Sequence, residues 1–188
     1  MKVERLAIPD VVLVTPVKHG DQRGFFSEVF HAGRLEELAG IKQAFVQDNH
    51  SLSVGRGVVR GLHFQASPHA QGKLVRVIRG AIYDVAVDLR HGSPTFGQHV
   101  GAELSAENWS QLWVPEGFAH GFCTLTVETE VIYKVTSGYA PAHDKGVRWD
   151  DPAFGIDWPV APGDAILSDK DRSQPAFEAL PAYFTFTD

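Results

Sequence analysis

Gly57-Val58-Val59-Arg60-Gly61-Leu62-His63-Phe64-Gln65, continued by Gln71-Gly72-Lys73-Leu74-Val75-Arg76-Val77-Ile78-Arg79-Gly80, is the stretch that decides how this chain is read. Glycines bracket runs of β-branched and aromatic residues, the pattern of strands broken by turns. The spacing is that of a metal-binding barrel motif: a glycine, five residues, a His-x-His pair, then a glutamate and, six residues later, a second glycine. Gly57 and His63 keep the first spacing, but Gln65 stands where the second histidine belongs. Lys73, with six residues between it and Gly80, stands where the glutamate belongs. Zinc, iron or manganese needs imidazole or carboxylate lone pairs, and an ammonium has none. The stretch therefore predicts a metal-free site, with one histidine able to move a proton and one lysine able to stabilise developing negative charge.

Outward from that stretch, the same grammar continues. From Phe45 onward short β-branched and aromatic segments are separated by Gly, Pro, Asn and Asp, which argues for a sandwich or barrel. Val75, Val77, Tyr83, Val85, Val87 and Leu89 alternate with charged or small residues, and residues 111–115 and 131–135 read as further strands. Upstream, residues 6–18 are rich in Val, Ile and Leu but carry Pro9 and Pro16, which suits an edge strand lent to a partner subunit. Asp21-Gln22-Arg23-Gly24 reads as a turn, followed by a strand over 25–30 with Arg23 and Glu28 near its ends. The one helical segment is 31–38, where Leu35 and Leu38 share a face. Beyond Tyr139 the chain reads as a loop-rich tail with Pro141, Pro152, Pro159 and Pro162 spaced through it.

Composition sets the outer bounds. The 188 residues fit a single domain over 1–188. With 44% apolar and 21% charged residues, disorder and coiled coil are poor readings. No apolar run approaches the roughly 20 residues that span a bilayer, and the amino terminus lacks a secretory signal's apolar core. Cys123 alone allows no internal disulfide, which suits a reducing cytoplasm. The net charge of −6 argues against bulk nucleic-acid binding, so an anionic ligand would need a locally basic pocket.

A second signal lies at Pro115-Glu116-Gly117-Phe118-Ala119-His120, a Pro-x-Gly-x-x-His pattern that turns the chain and returns a histidine to a barrel interior. The two half-motifs together resemble those of the cupins, so the expected fold is all-β: a cupin-type double-sheet jelly-roll barrel with little helix. On strand grammar alone Tyr133 is a packed barrel residue, and Asp171, in the charged run 169–172, is a surface carboxylate.

The chain also resembles the dTDP-4-dehydrorhamnose 3,5-epimerase family. The matching segments are 21–26, 47–51, 57–65, 93–97, 113–122, Tyr133-Lys134 and 167–171, in order. The resemblance implies a metal-free, cofactor-free homodimer acting on a dTDP-sugar. It implies proton removal from carbons flanking a C4 ketone, with return on the opposite face. An ordinary histidine titrates at about 6.5 and can take and release a proton. The resemblance assigns His63 as base, Asp171 as its orienting carboxylate, Tyr133 as opposite-face donor, Lys73 as stabiliser of the C4 oxygen and His120 as support. For the nucleotide it implies Arg23 and Arg60 on the diphosphate and Tyr139 and Phe26 on thymine. Glu28, Gln47, Asn49 and Lys170 would be polar contacts, some supplied by the partner chain. Asp144 occupies a position where the family usually has glutamate; its shorter side chain could still make that contact through a water. Two other classes compete: a metal-dependent cupin enzyme, disfavoured by Gln65 and Lys73, and a noncatalytic sugar-binding jelly roll, which has no use for the His63, Asp171 and Tyr133 set.

Overall fold

Strands dominate residues 1–187, the part of the chain that the computed structural model describes. They are β1 (Lys2–Arg5), β2 (Val12–Thr15), β3 (His19–Asp21), β4 (Gly24–Phe26), β5 (Gln47–Ser53), β6 (Val59–Gln65), β7 (Lys73–Arg79) and β8 (Ala81–Asp88). The series continues with β9 (Arg90–His91), β10 (His99–Ser105), β11 (Gln111–Val114), β12 (Phe118–Thr124), β13 (Thr129–Val135), β14 (Asp144–Gly146) and β15 (Phe184–Thr185). The α-helices are α1 (Ala32–Ala39) and the four-residue α2 (Asp169–Arg172). No described helix is long and apolar enough to cross a membrane.

Two antiparallel sheets form the expected double-sheet jelly roll. One has six strands in the order β1-β2-β11-β7-β13-β5, the other five in the order β10-β8-β12-β6-β14. Between them, Val75, Val77, Leu112, Val114 and Val131 pack against Ile82, Ala86, Leu104, Phe118 and Phe122. Both outer faces are covered as well. Leu35, Ala39 and Ile41 lie over Val12, Val14, Leu74 and Trp113 on the six-stranded sheet. On the other sheet the tail lays Phe154, Trp158, Phe177 and Tyr183 over Leu62, Phe64, Val85 and Val87. Burying each such side chain contributes about 1.5–3 kcal/mol, so this cover fixes the path of the tail that carries Asp171.

Three local expectations need correction. Helix α1 runs Ala32–Ala39, and its buried pair is Leu35 with Ala39, while Leu38 is 48% exposed. Residues four apart lie closer to one helix face than residues three apart, and the left-handed Gly40 ends the helix just beyond. The strand expected over 25–30 stops at Phe26, because β3 and β4 form a separate two-stranded hairpin. The segment 6–18 is not the sheet edge: β2 is paired on both sides, and β1 is the edge. Pro9 falls in the β1–β2 connection and Pro16 directly after β2, where neither breaks the ladder.

Candidate active site

The site is built on an irregularity in β6. His63 pairs with His120 and Arg60 with Phe122, so Gly61 and Leu62 together oppose the single residue Gly121 on β12. This is a β-bulge, and it shifts the alternation of faces by one. Val59, Leu62 and Phe64 therefore pack outward, while Arg60 and His63, three residues apart, line the same interior cavity. Two glycines permit the bulge. A Cβ on Gly61, at φ +135°, would lie 2.6 Å from Gly121 Cα, and one on Gly121 would lie 2.8 Å from the Arg60 carbonyl oxygen.

His63 Nε2 stands 2.5 Å from Asp171 Oδ1. Asp171 is 4% exposed and is set by α2, whose N-cap Ser168 accepts from the Asp171 N–H at 3.1 Å and donates its hydroxyl to Asp171 Oδ2 at 2.7 Å. Burial by itself would raise the Asp171 carboxyl, but the His63, Ser168 and Gly61 hydrogen bonds and the His63 charge outweigh it and hold the group below the usual carboxylate range. Nε2 is thereby committed to the carboxylate. Nδ1 is the ring nitrogen left to take a proton.

From the opposite sheet, Lys73 and Tyr133 enter the same cavity of about 300 Å³. Lys73 is 8% exposed and donates to the His63 carbonyl at 3.2 Å. Burial pushes its ammonium down to about 8, with Asp84 and Asp144 pulling the other way and Lys170 adding to the depression. Burial likewise raises the Tyr133 phenol, partly offset by Arg60, so that the hydroxyl keeps its proton. His120 Nε2 lies 2.8 Å from Asp84 Oδ1, and burial, against the pull of Asp84, keeps the imidazole below its ordinary range. A neutral His120 donates to Asp84 through Nε2. Among the described residues no group of three His, Cys, Asp or Glu side chains is placed to hold a metal ion.

An adjoining cavity of about 250 Å³ shares His63, Lys73, Tyr133 and Lys170 and is completed by Gln47, Asn49, Gln65, Gln71, Tyr139 and Asp144. Its polar groups are cross-linked. Gln47 Nε2 donates to Asn49 at 2.8 Å, the Tyr139 hydroxyl donates to Asp144 Oδ2 at 3.1 Å, and Lys170 Nζ donates to the same oxygen at 2.5 Å. Arg60 is aimed by Ser53 Oγ and the Leu52 carbonyl, each 3.1 Å away. The remaining sequence candidates are elsewhere. Arg23 and Phe26 sit on the exposed β3–β4 hairpin, with Phe26 72% exposed and Arg23 paired to Asp21, and Glu28 pairs with Arg34 at 3.2 Å on the surface.

Sequence reasoning missed Asp84, Ser168 and Ser51. Asp84 is fully buried, and its Oδ2, like the Ser51 Oγ, has no hydrogen-bond partner among the described residues. A carboxylate in the apolar run of β8 was the available signal for Asp84; Ser168 matches the N-cap preference but borders only a four-residue helix.

An imidazole on one sheet and a phenol on the other, with a buried lysine lining the same cavity, suit removal of a proton from one face of a substrate and its return to the other. The fold and site thus define a jelly-roll isomerase of the epimerase type. The family profile described as dTDP-4-dehydrorhamnose 3,5-epimerase matches residues 5–179. The chain is 54% identical over 187 residues to the dTDP-4-dehydrorhamnose 3,5-epimerase of Sinorhizobium fredii, covering 99% of this chain and 94% of that one. It is 55% identical over 177 residues to the enzyme of the same name from Pseudomonas aeruginosa, covering 94% and 96% respectively. The crystal structure of dTDP-6-deoxy-D-glucose-3,5-epimerase from Legionella pneumophila, in complex with dTDP-4-keto-L-rhamnose, matches with a TM-score of 0.94 at 44% identity, covering 100% of this chain and 99% of that one. The chain belongs to the dTDP-4-dehydrorhamnose 3,5-epimerase family.

Proposed function

We propose that the protein epimerises dTDP-4-dehydro-6-deoxy-D-glucose at C3 and C5 to give dTDP-4-dehydro-L-rhamnose, in the route to dTDP-L-rhamnose. The observation that carries this reading is the His63–Asp171 pair sharing one cavity with Lys73 and Tyr133. His63 Nδ1 takes the proton from the carbon beside the C4 ketone. The C–H electron pair becomes the C=C bond, and the carbonyl π pair moves onto O4 as an enolate. The Lys73 ammonium stabilises that oxygen, the kind of preorganised charge stabilisation that is often the largest catalytic contribution. Collapse of the enolate takes a proton from the Tyr133 hydroxyl on the other face. His63 then releases its proton to solvent and the tyrosinate recovers one, so nothing is consumed and no cofactor enters the balance.

At the nucleotide end, Arg60 supplies a planar fork for the diphosphate and Tyr139 an aromatic plate for thymine, with Gln47, Asn49, Asp144 and Lys170 as polar contacts. Arg23, Phe26 and Glu28 reach a site only if they serve a second copy, which supports a homodimer whose exposed hairpin completes the partner's cavity. The single buried Cys123 suits a cytoplasmic protein. A turnover assay with dTDP-4-dehydro-6-deoxyglucose, coupled to a rhamnose-forming reductase, tests the assignment. Reductase-dependent NADPH oxidation is expected. Absence of turnover by folded protein, or a stoichiometric transition metal in protein purified without chelator, would remove it.

A further inference from the structure

Gln65 occupies the place where a metal-binding barrel would have its second histidine, yet the proton chemistry above makes no use of it. It is 4% exposed, and every polar group of its amide is engaged by backbone. Oε1 accepts from the Ala140 N–H at 2.7 Å, while Nε2 donates to the Gly138 carbonyl at 3.1 Å and to the His69 carbonyl at 2.8 Å. Gly138 and Ala140 flank Tyr139. One side chain therefore grips the chain on both sides of a residue that is 61% exposed and lines the cavity. Tyr139 is steadied further by its N–H to Gln47 Oε1 at 3.2 Å and its hydroxyl to Asp144.

We propose that Gln65 is a positioning residue for the nucleotide end of the substrate, a latch that holds 138–140 so that Tyr139 presents its ring to a pyrimidine nucleoside diphosphate. The proposal rests on the reading of Tyr139 as the nucleobase plate. A carboxamide has two N–H donors and a carbonyl acceptor, which match two carbonyls and one N–H. A neutral imidazole has one donor and one acceptor, and an imidazolium two donors and no acceptor, so a histidine at this position could not make all three bonds of the latch. Gln65 touches the substrate through no free polar atom and acts before the substrate arrives. Ordering the loop in advance lowers the entropic cost of binding and leaves the proton transfers unaffected, so its loss should appear in KM and not in kcat.

The test uses the full chain with Gln65→Met, which keeps the volume and removes the hydrogen bonds, and Gln65→Glu, which keeps an acceptor for Ala140 and loses both donors. Three quantities are read: dTDP affinity by calorimetry, KM and kcat with the sugar nucleotide, and amide hydrogen exchange at Tyr139 and Ala140. For Gln65→Met, the dTDP Kd and the KM should each rise about tenfold with kcat within about twofold, and exchange should quicken at 139–140 alone. Gln65→Glu should protect the Ala140 amide more than Gln65→Met does. Unchanged dTDP affinity in either variant, a loss confined to kcat, or faster exchange spread over the whole barrel would overturn the latch. If the unmodified protein binds dTDP but does not turn over the sugar nucleotide, the epimerase reading fails separately, and Kd with local exchange still decides the latch.

Discussion

His63 Nε2 and Asp171 Oδ1 meet at 2.5 Å although 108 residues separate them in the chain. In the proposed mechanism the carboxylate fixes which ring nitrogen faces the substrate and stabilises the imidazolium that forms. His63→Ala should lower kcat about 10²–10⁴-fold while dTDP titrations return near-normal affinity; a folded variant with more than half the rate would exclude His63 as the base. Asp171→Asn should also lower kcat, through a poorly oriented ring. The pair has a stability signature too. Because the Asp171 carboxyl is held below its unfolded value, its contribution is complete above about pH 4 and is lost as pH falls through the lowered folded value. Denaturant titrations should show Asp171→Asn losing less stability than the parent over that acid range.

In the proposed mechanism Lys73 must be charged to stabilise the enolate, and burial brings its ammonium to about 8. The rate should fall above that pH. Lys73→Arg, always charged, should lose the alkaline fall at the expense of geometry, whereas Lys73→Met should lose about 10²–10³-fold in kcat below that pH, a deficit that narrows as the parent's lysine itself deprotonates. For stability the sign is reversed from a paired lysine. Between about 8 and 10.5 the unfolded chain holds more protons at this residue, so its contribution to stability rises with pH across that window. A pH–rate profile of Lys73→Arg that kept the parent's alkaline limb would move that limb to another group.

Gly61→Ala tests the bulge. The added methyl would meet Gly121 Cα at 2.6 Å in a backbone region that disfavours side chains. The variant should melt lower and, assayed well below its melting temperature, should lose at least about tenfold in kcat because His63 and Arg60 lose their shared face. Parent-like melting and kcat together would show that β6 tolerates a regular ladder.

In D2O, each carbon deprotonated by His63 should acquire deuterium, at both C3 and C5. Label confined to one carbon after long incubation, with the other centre unchanged by NMR, would assign a single epimerase. Tyr133, kept protonated by burial, is the internal control. Tyr133→Phe should preserve exchange of the substrate protons better than net inversion, since the base survives and the opposite-face donor is lost.

If the β3–β4 hairpin serves the neighbouring subunit, light scattering should give about twice the 20.6 kDa chain mass. Mixing inactive His63→Ala with inactive Arg23→Ala should then restore up to about a quarter of the parent activity, from mixed dimers holding one intact site. A monomeric mass with full activity, or no recovery on mixing among proven heterodimers, would place Arg23 outside the site.

Local spacing was enough to determine that this chain forms a jelly roll and that His63, His120 and Lys73 belong to its interior, because a glycine or proline turn at a set distance fixes where a strand begins and hence which way a side chain points. It also placed Gln65 and Lys73 at the positions where a metal-binding barrel has ligands. Alternation could not say which face is which. With the tail covering one side of the five-stranded sheet, Val85 and Val87 pack outward while Asp84 and Ala86 face in, and a strand buried on both faces carries no period that distinguishes them. Arg60 and His63 share a face only because Gly61 and Gly121 allow a bulge, a close approach of two backbones that no single strand encodes. Asp171 was legible through family resemblance, but its burial depends on the tail's aromatic side chains finding the outer face of β6 and β8. What Gln65 holds was equally out of reach, since an amide's partners are set by which loop the packed chain brings to it, and that is decided by tertiary contacts between segments more than seventy residues apart.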